Sequence, residues 1–525
     1  MIFCYSPMKI QSSSNTRSQV IATVQERTIT AEVRDLIKLL CDEFGKRRSD
    51  LLRERERHQL ELAKGNINFR EETAHIRKGV WNVEIPEHLL ERRVELIGGA
   101  TRSEIVNGIN AGAKSYVADL WNFTPSDGWS ILRAHRSIER AARRDLAYLS
   151  SEGDRVRINP RARTRLMVVP RPLNVLESAV LYEDAPVPAA FFDLALLAMN
   201  CGRVLIEEHG GIHLVLRDVR THLEARLWAQ LFDALEEQLE VDRGTVRATI
   251  MIDSISAAME AEEILFECMH HAAGLSVDPQ GYAADHIALF HGKDRPTLPD
   301  RERIGMNAPF LRMLGLHIVG ICHRRSCHAI GAPSFVLPPL DPEKVKLNYL
   351  EMLADKEREA VDGYDGTMVV HEGTVNAAMI EYNKSMPRAH QLYYQRNDTI
   401  EPSDLIRRPE GEISVEGLVG MIRTALRSMV QAGQGRGWVI QGGRMHDRSS
   451  LRLALRLLWQ WNHGDHGRIT ASGLDVHDDL LRYLVKKEAD KMFADAPENL
   501  KAAAAAAVKD LLDLVLGPEL PMLNG

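Results

Sequence analysis

In a parallel α/β chain a carboxylate at the exit of a buried strand is the first place to look for chemistry, and Asp253 occupies such a place. It closes RATIMI (247 to 252), a continuous run of apolar and β-branched residues typical of a strand covered on both faces. It opens a stretch of roughly 15 residues with apolar side chains at helical spacing. Ligands bind at the carboxyl ends of such strands, which makes Asp253 a candidate site residue. An N-cap is the alternative, with Asp253 or Ser254 accepting the first free N–H groups of the helix. Two other stretches carry ligand-type residues. CHRRSCH, Cys322 to His328, has zinc-type residues, but zinc sites usually recruit a second, more tightly spaced ligand pair elsewhere. Gly435, Gly437, Gly442 and Gly443 could cradle a phosphate, yet no P-loop or GxGxxG pattern accompanies them and flexible turns are the simpler reading.

The elements that must position Asp253 follow from periodicity. Between residues 93 and 375 short apolar runs alternate with amphipathic helical segments: VELIG (94 to 98), SYVAD (115 to 119), LMVV (166 to 169), HLVL (213 to 216), TIMI (249 to 252), AGLSV (273 to 277) or HIALF (286 to 290), HAIG (328 to 331) and TMVV (367 to 370). Whichever sixth candidate is right, this predicts eight parallel strands, the size of a (β/α)8 TIM barrel; an open doubly wound sheet is the rival. Residues 1 to 28 are polar and aperiodic, a flexible N-terminus. Residues 29 to 92 form an N-terminal helical clasp, read as two helices broken near Gly45. Residues 376 to 525 form a C-terminal helical domain, with helices expected over 413 to 432, 449 to 462 and 475 to 516.

Composition narrows the function classes. The 525 residues are 45% hydrophobic and 26% charged, ordinary for a globular chain. A net charge of -7 gives no basic field for nucleic acid, and RERERH (53 to 58) and RSIERAARR (136 to 144) read as solvated helix faces. Six scattered cysteines make no disulfide framework, which fits a reducing compartment. The sequence shows no apolar run of the roughly 18 to 20 residues that span a membrane and no signal-peptide pattern, so the expected location is cytoplasmic.

Several blocks then carry a resemblance. ERRVELIGG (91 to 99), THLEARLW (221 to 228), DRGTVRATIMIDSISAAMEAEEIL (242 to 265), LADKEREAVDGYDGT (353 to 367), VVH (369 to 371) and LWQWNH (458 to 463) resemble, in order, the shorter A-type malate synthases. The likeness runs from about residue 30 to at least 490. It implies a (β/α)8 barrel with an N-terminal clasp and a C-terminal helical domain. It also implies condensation of acetyl-CoA with glyoxylate: a carboxylate takes a methyl proton, Mg2+ polarises the glyoxylate, an arginine stabilises the enolate, and the thioester is hydrolysed.

The resemblance also assigns residues. The family's catalytic aspartate lies twelve residues before WQW, which is Asp447 here, in MHDRSSLRLA with His446 and Arg448 as neighbours that would lower its pKa. The family's R-x-R is VVPRPLNVLE, so the first arginine's place is Val169 and only Arg171 remains to face an oxyanion. The metal ligands implied are Asp253 and an aspartate aligned with Gly281 or, after a short insertion, Asp285 in ADHI, with Asp278 as a rival. An acidic motif of the family becomes DLWN, which keeps Asp119. Because the fold blocks match better than the chemistry blocks, two classes stay open. One is an enzyme joining an acyl-CoA to glyoxylate or another 2-oxoacid, or a paralogue with a different C–C bond reaction. The other is a non-catalytic binding protein on the same fold.

Overall fold

The computed structural model describes residues 9–10, 27–292, 295–339 and 347–522, so most of the stretch expected to be a flexible N-terminus lies outside the described residues. Eight strands close a parallel barrel: β1 (Val94–Gly98), β2 (Ser115–Asp119), β3 (Arg165–Val169), β4 (Ile212–Leu216), β5 (Val246–Ile252), β6 (Ala272–Val277), β7 (His328–Ser334) and β8 (Gly366–Val369). They follow one another around the barrel in chain order, and β8 pairs back onto β1. AGLSV is the sixth strand. HIALF belongs to the helix after it, because Asp278 caps that helix and Pro279 starts it. Alternate strand residues point inward and form an apolar lumen that includes Val117, Val169, Val215, Met251, Ile330 and Met368.

The helices used below are α1 (Ala31–Ala63), α2 (Ala189–Leu197), α3 (His222–Leu239), α4 (Pro279–Leu289), α5 (Val415–Ala432), α6 (Arg448–His463), α7 (Asp478–Phe493) and α8 (Glu498–Leu516). The sequence predicts two helices around Gly45, but α1 runs through it unbroken; a single glycine weakens a helix without ending one when flanking turns are packed, as they are here at Phe44 and Arg48. The helix expected over 475 to 516 is two helices, α7 and α8, with Pro497 capping the second. RERERH is only partly a solvated face: Arg53 and Arg57 are exposed, whereas Arg55 is buried against Asp218 and Glu224 and ties α1 to the barrel. One helical run, Ala189–His209, is long and apolar enough by composition to cross a membrane, which the sequence reading missed; 72% of it is buried inside the protein, including Phe191 and Phe192.

Two features seat the C-terminal helices over the barrel mouth. A hairpin, β9 (Val439–Gln441) and β10 (Arg444–His446), turns through Gly442 and Gly443 at φ of 61° and 75°, a geometry that disfavours side chains with a Cβ. Its far strand is held to the loop after β7 by the Met445 N–H donating to Phe335 O at 2.8 Å. Helix α6 then packs on α4 and α5, with Trp461 Nε1 donating to Leu298 O at 2.8 Å and Gln460 accepting from the Leu298 N–H at 3.0 Å. The LWQW block is therefore an anchor that fixes where Asp447, the N-cap of α6, stands.

Candidate functional site

Four carboxylates meet one guanidinium at the carboxyl ends of the strands. Asp119 ends β2, Arg217 follows β4, Asp253 follows β5, Asp278 follows β6, and Asp447 comes from α6 above them. None of the five is more than 4% exposed, so each charge must find partners within the protein. Arg217 Nη1 donates to Asp278 Oδ2 at 2.8 Å, and its Nε faces Asp119 Oδ2 at 3.3 Å. The other oxygen of Asp119 accepts from the Trp121 and Asn122 N–H groups, and that of Asp278 caps α4 through the Gln280 and Gly281 N–H groups. Asp253 Oδ2 accepts from the Asp218 N–H at 2.9 Å. Asp447 Oδ1 accepts from Ser449 Oγ at 2.7 Å and the Ser450 N–H at 3.0 Å.

Three carboxylate oxygens in this cluster, Asp119 Oδ2, Asp253 Oδ1 and Asp447 Oδ2, are buried without a hydrogen-bond partner. Gly281 leaves room beside Asp253 and Asp278: a Cβ there would stand 2.9 Å from Asp253 Cβ, 3.1 Å from Arg452 Nη2 and 3.2 Å from Asp278 Oδ2. The electrostatics follow from burial. Burial pushes Asp447 up to about 6, against the opposing pull of Ser449 and Arg217. Burial, and the nearby Asp218, raise Asp253 as well. Burial lowers the Arg217 guanidinium, but Asp119, Asp278, Asp447 and Asp253 more than reverse this and hold it above the ordinary arginine range.

Beside the cluster, reached past Gln280, His446 and Ser450, lies a cavity of about 830 Å³ between β7, the 301–309 loop and the C-terminal hairpin. Arg301 and Arg444 line it. Among the described residues the Arg301 side chain donates to Ile304 O alone, and burial together with Arg444 pulls it down to about 10. The nearest carboxylate to Arg444, Glu351, is 4.0 Å away. The lining also holds Glu302, Glu351, Asp355, Glu359 and Glu410, so it carries charge of both signs, with Arg301 and Arg444 the groups on it that suit an anionic ligand.

The residues expected from the sequence are distributed unevenly. Asp253, Asp447, Asp278 and Asp119 converge. Arg448 does not pair with Asp447: it stacks 4.2 Å from the Trp121 ring, so the expected lowering of Asp447 becomes a rise. His446 is buried and pulled down to about 4, hence neutral near pH 7. Asp285 has both oxygens engaged, Oδ1 accepting from Arg220 Nη1 at 2.8 Å and Oδ2 from the Ile255 N–H at 2.9 Å. Arg171 is enclosed as well. Its Nε and Nη2 bind Asp193 at 3.0 and 2.8 Å, and its Nη1 binds Glu177 at 2.7 Å. Val169 contributes only methyl groups to the lumen. Arg217 was missed, although it leaves IHLVL just as Asp253 leaves TIMI, and the same strand-exit rule would have found it.

Comparison with known proteins gives concordant matches. The family model for the malate synthase TIM barrel domain matches residues 165–408. A malate synthase from Streptomyces clavuligerus is 32% identical over 476 residues, covering 88% of this chain and 88% of that one. One from Myxococcus xanthus (strain DK1622) is 30% identical over 480 residues, covering 91% and 88%. Malate synthase A of Escherichia coli (strain K12) is 28% identical over 469 residues, covering 88% and 87%.

Proposed function

The chain belongs to the malate synthase family, and from that premise we propose that the acid cluster at its barrel mouth condenses acetyl-CoA with glyoxylate or a related 2-oxoacid. Family membership supports the general reaction. The observation that carries it to these residues is Asp447: a buried carboxylate with one oxygen unpartnered, raised to about 6 by burial, where a base is still ionised at neutral pH yet strong enough to work. Asp447 Oδ2 takes a proton from the methyl group beside the thioester carbonyl. The C–H electron pair forms a C=C bond, and the carbonyl pair moves onto oxygen. The resulting enolate carbon attacks the aldehyde carbon of glyoxylate, whose own carbonyl pair becomes an alkoxide and then a hydroxyl. Water cleaves the thioester, leaving a carboxylate and the free coenzyme thiol.

The resemblance implies Mg2+, and the donor chemistry fits a hard cation. Asp253 Oδ1 is unpartnered, Asp278 Oδ2, which also accepts from Arg217, borders Gly281 together with the Asp253 side chain, and Mg2+ commonly takes one or two protein carboxylates with water and substrate oxygens. Asp253 and Asp278 would hold it, and the ion would polarise the 2-oxoacid carbonyl. The cavity beside the cluster supports an acyl-CoA arm, with Arg301 and Arg444 facing coenzyme phosphates.

The test is release of free thiol from acetyl-CoA, with glyoxylate and Mg2+, across pH 6 to 9. Glyoxylate-dependent thiol release is expected, and none at any pH removes the reading. A binding module is the second reading, favoured by the apolar cover that Phe123, Phe335 and Met445 place on the lumen beside Val169. Calorimetric binding of acetyl-CoA without turnover would select it.

A further inference from the structure

Resting on that reading, we propose that Arg217 is the oxyanion-stabilising cation of this site, the role that Val169 cannot fill. The requirement is geometric. When a base removes a proton from a carbon next to a carbonyl, negative charge appears on the carbonyl oxygen, two bonds from the carbon that lost the proton. A donor that stabilises it must therefore stand close to the base and be fixed before the reaction. Three other arginines are engaged elsewhere, and a fourth, Arg452, stands at Gly281 beside Asp253 with no ion pair or hydrogen bond among the described residues to fix it. Arg171 has its three nitrogens bound to Asp193 and Glu177, Arg448 lies on Trp121, and Arg301 lines the adjoining cavity with Arg444.

Arg217 meets the requirement. It stands on the same loop junction as Asp447: the Arg448 N–H donates to Asn122 O at 3.2 Å, the Asn122 N–H donates to Asp119 Oδ1 at 2.7 Å, and Asp119 Oδ2 faces Arg217 Nε at 3.3 Å. One edge is fixed by Asp278 at 2.8 Å, so the guanidinium does not have to be ordered when substrate arrives. Its Nε lies 3.3 Å from Asp119 Oδ2 without completing a hydrogen bond, and its Nη2 makes no hydrogen bond among the described residues, although the residue is only 4% exposed. A buried cation paired with Asp278 and Asp119, with Nη2 left over, is set to receive one more oxygen anion. In the step proposed, Asp447 accepts the methyl proton and becomes neutral while the enolate oxygen takes up the negative charge. Arg217 donates to that oxygen through Nη2, the nitrogen that neither Asp278 nor Asp119 engages, and the charge stays balanced within the cluster.

The test separates this from the overall reaction by reading enolisation alone. Full-length protein is incubated in D2O with Mg2+, acetyl-CoA and pyruvate, a ketone standing in for the more electrophilic aldehyde. Deuterium entering the acetyl methyl group is followed by NMR, with acetyl-CoA binding by calorimetry and folding by circular dichroism alongside. Wild-type protein is expected to exchange. Folded Arg217→Met should bind acetyl-CoA yet exchange about 10²- to 10³-fold more slowly, the usual cost of losing one oxyanion donor. Arg217→Lys, which keeps the charge but loses the fork, should fall about tenfold or more. If Arg217→Met does not fold, Arg217→Lys decides the matter. Exchange within threefold of wild type in either folded variant overturns the proposal while leaving the condensation standing, whereas absence of exchange in the wild type overturns both.

Discussion

The neighbouring strands β3 and β4 each deliver an arginine to the barrel mouth within two residues of their ends, and the two reach opposite conditions. Arg171 is closed in by Asp193 from α2 and Glu177 from the strand Leu176–Tyr182 that follows it, a set in which every guanidinium nitrogen is engaged. Arg217 is shared by aspartates from several strands whose oxygens are only partly satisfied. The difference shows that the residue type at a strand exit does not by itself make a site. Complete pairing turns a buried cation into a structural tie, and incomplete pairing leaves it able to act.

The largest expected effect comes from the acidic side of the comparison. Asp447→Asn should cut thiol release about 10²- to 10⁴-fold, the span of general-base catalysis, and leave the fold intact because asparagine caps a helix as well as aspartate does. A variant that keeps more than a tenth of the activity would take Asp447 out of the proton transfer. Next is Arg171→Met, which strands the buried Asp193 and Glu177 carboxylates. It should cost about 3–5 kcal/mol in denaturant unfolding while kcat of the folded protein stays near wild type. Loss of kcat without loss of stability would erase the distinction between the two strand ends. Gly281→Ala pushes a methyl group to 2.9 Å from Asp253 Cβ and should cost about 1–3 kcal/mol with an equal or larger loss of Mg2+ affinity by calorimetry. Unchanged Mg2+ affinity would move the cation away from Asp253 and Asp278.

The smallest effect is graded with pH. Burial raises Asp447 to about 6, and only its ionised form takes a proton. Enolisation should therefore be level above pH 7 and fall about tenfold per unit below 6. A break near 4, the ordinary carboxylate range, would mean that a more solvated group is the base.

The same comparison explains what the sequence could and could not reveal. The strands were legible because a strand buried on both faces is a continuous apolar run, as in TIMI and SYVAD, and strand exits led to Asp253 and Asp119. Asp285 misled for a reason of distance. Seven residues after Asp278 it lies on nearly the same face of α4 but about 10 Å further along the axis, where Arg220 and the Ile255 N–H take its oxygens. Arg171 misled because its partners sit on separate elements whose approach no local pattern announces. The rise of Asp447 was equally hidden, since it comes from burial at the barrel mouth, and Arg448, which could have opposed it, turns to Trp121, a contact across more than 300 residues of chain.

Deuterium exchange into acetyl-CoA, run side by side on Arg217→Met and Arg171→Met at a temperature where both are folded, tests the distinction most directly. Exchange lost by about 10²-fold or more at position 217 and kept at position 171 is the predicted result. Exchange kept at 217 and lost at 171 would contradict it, returning the oxyanion role to the end of β3.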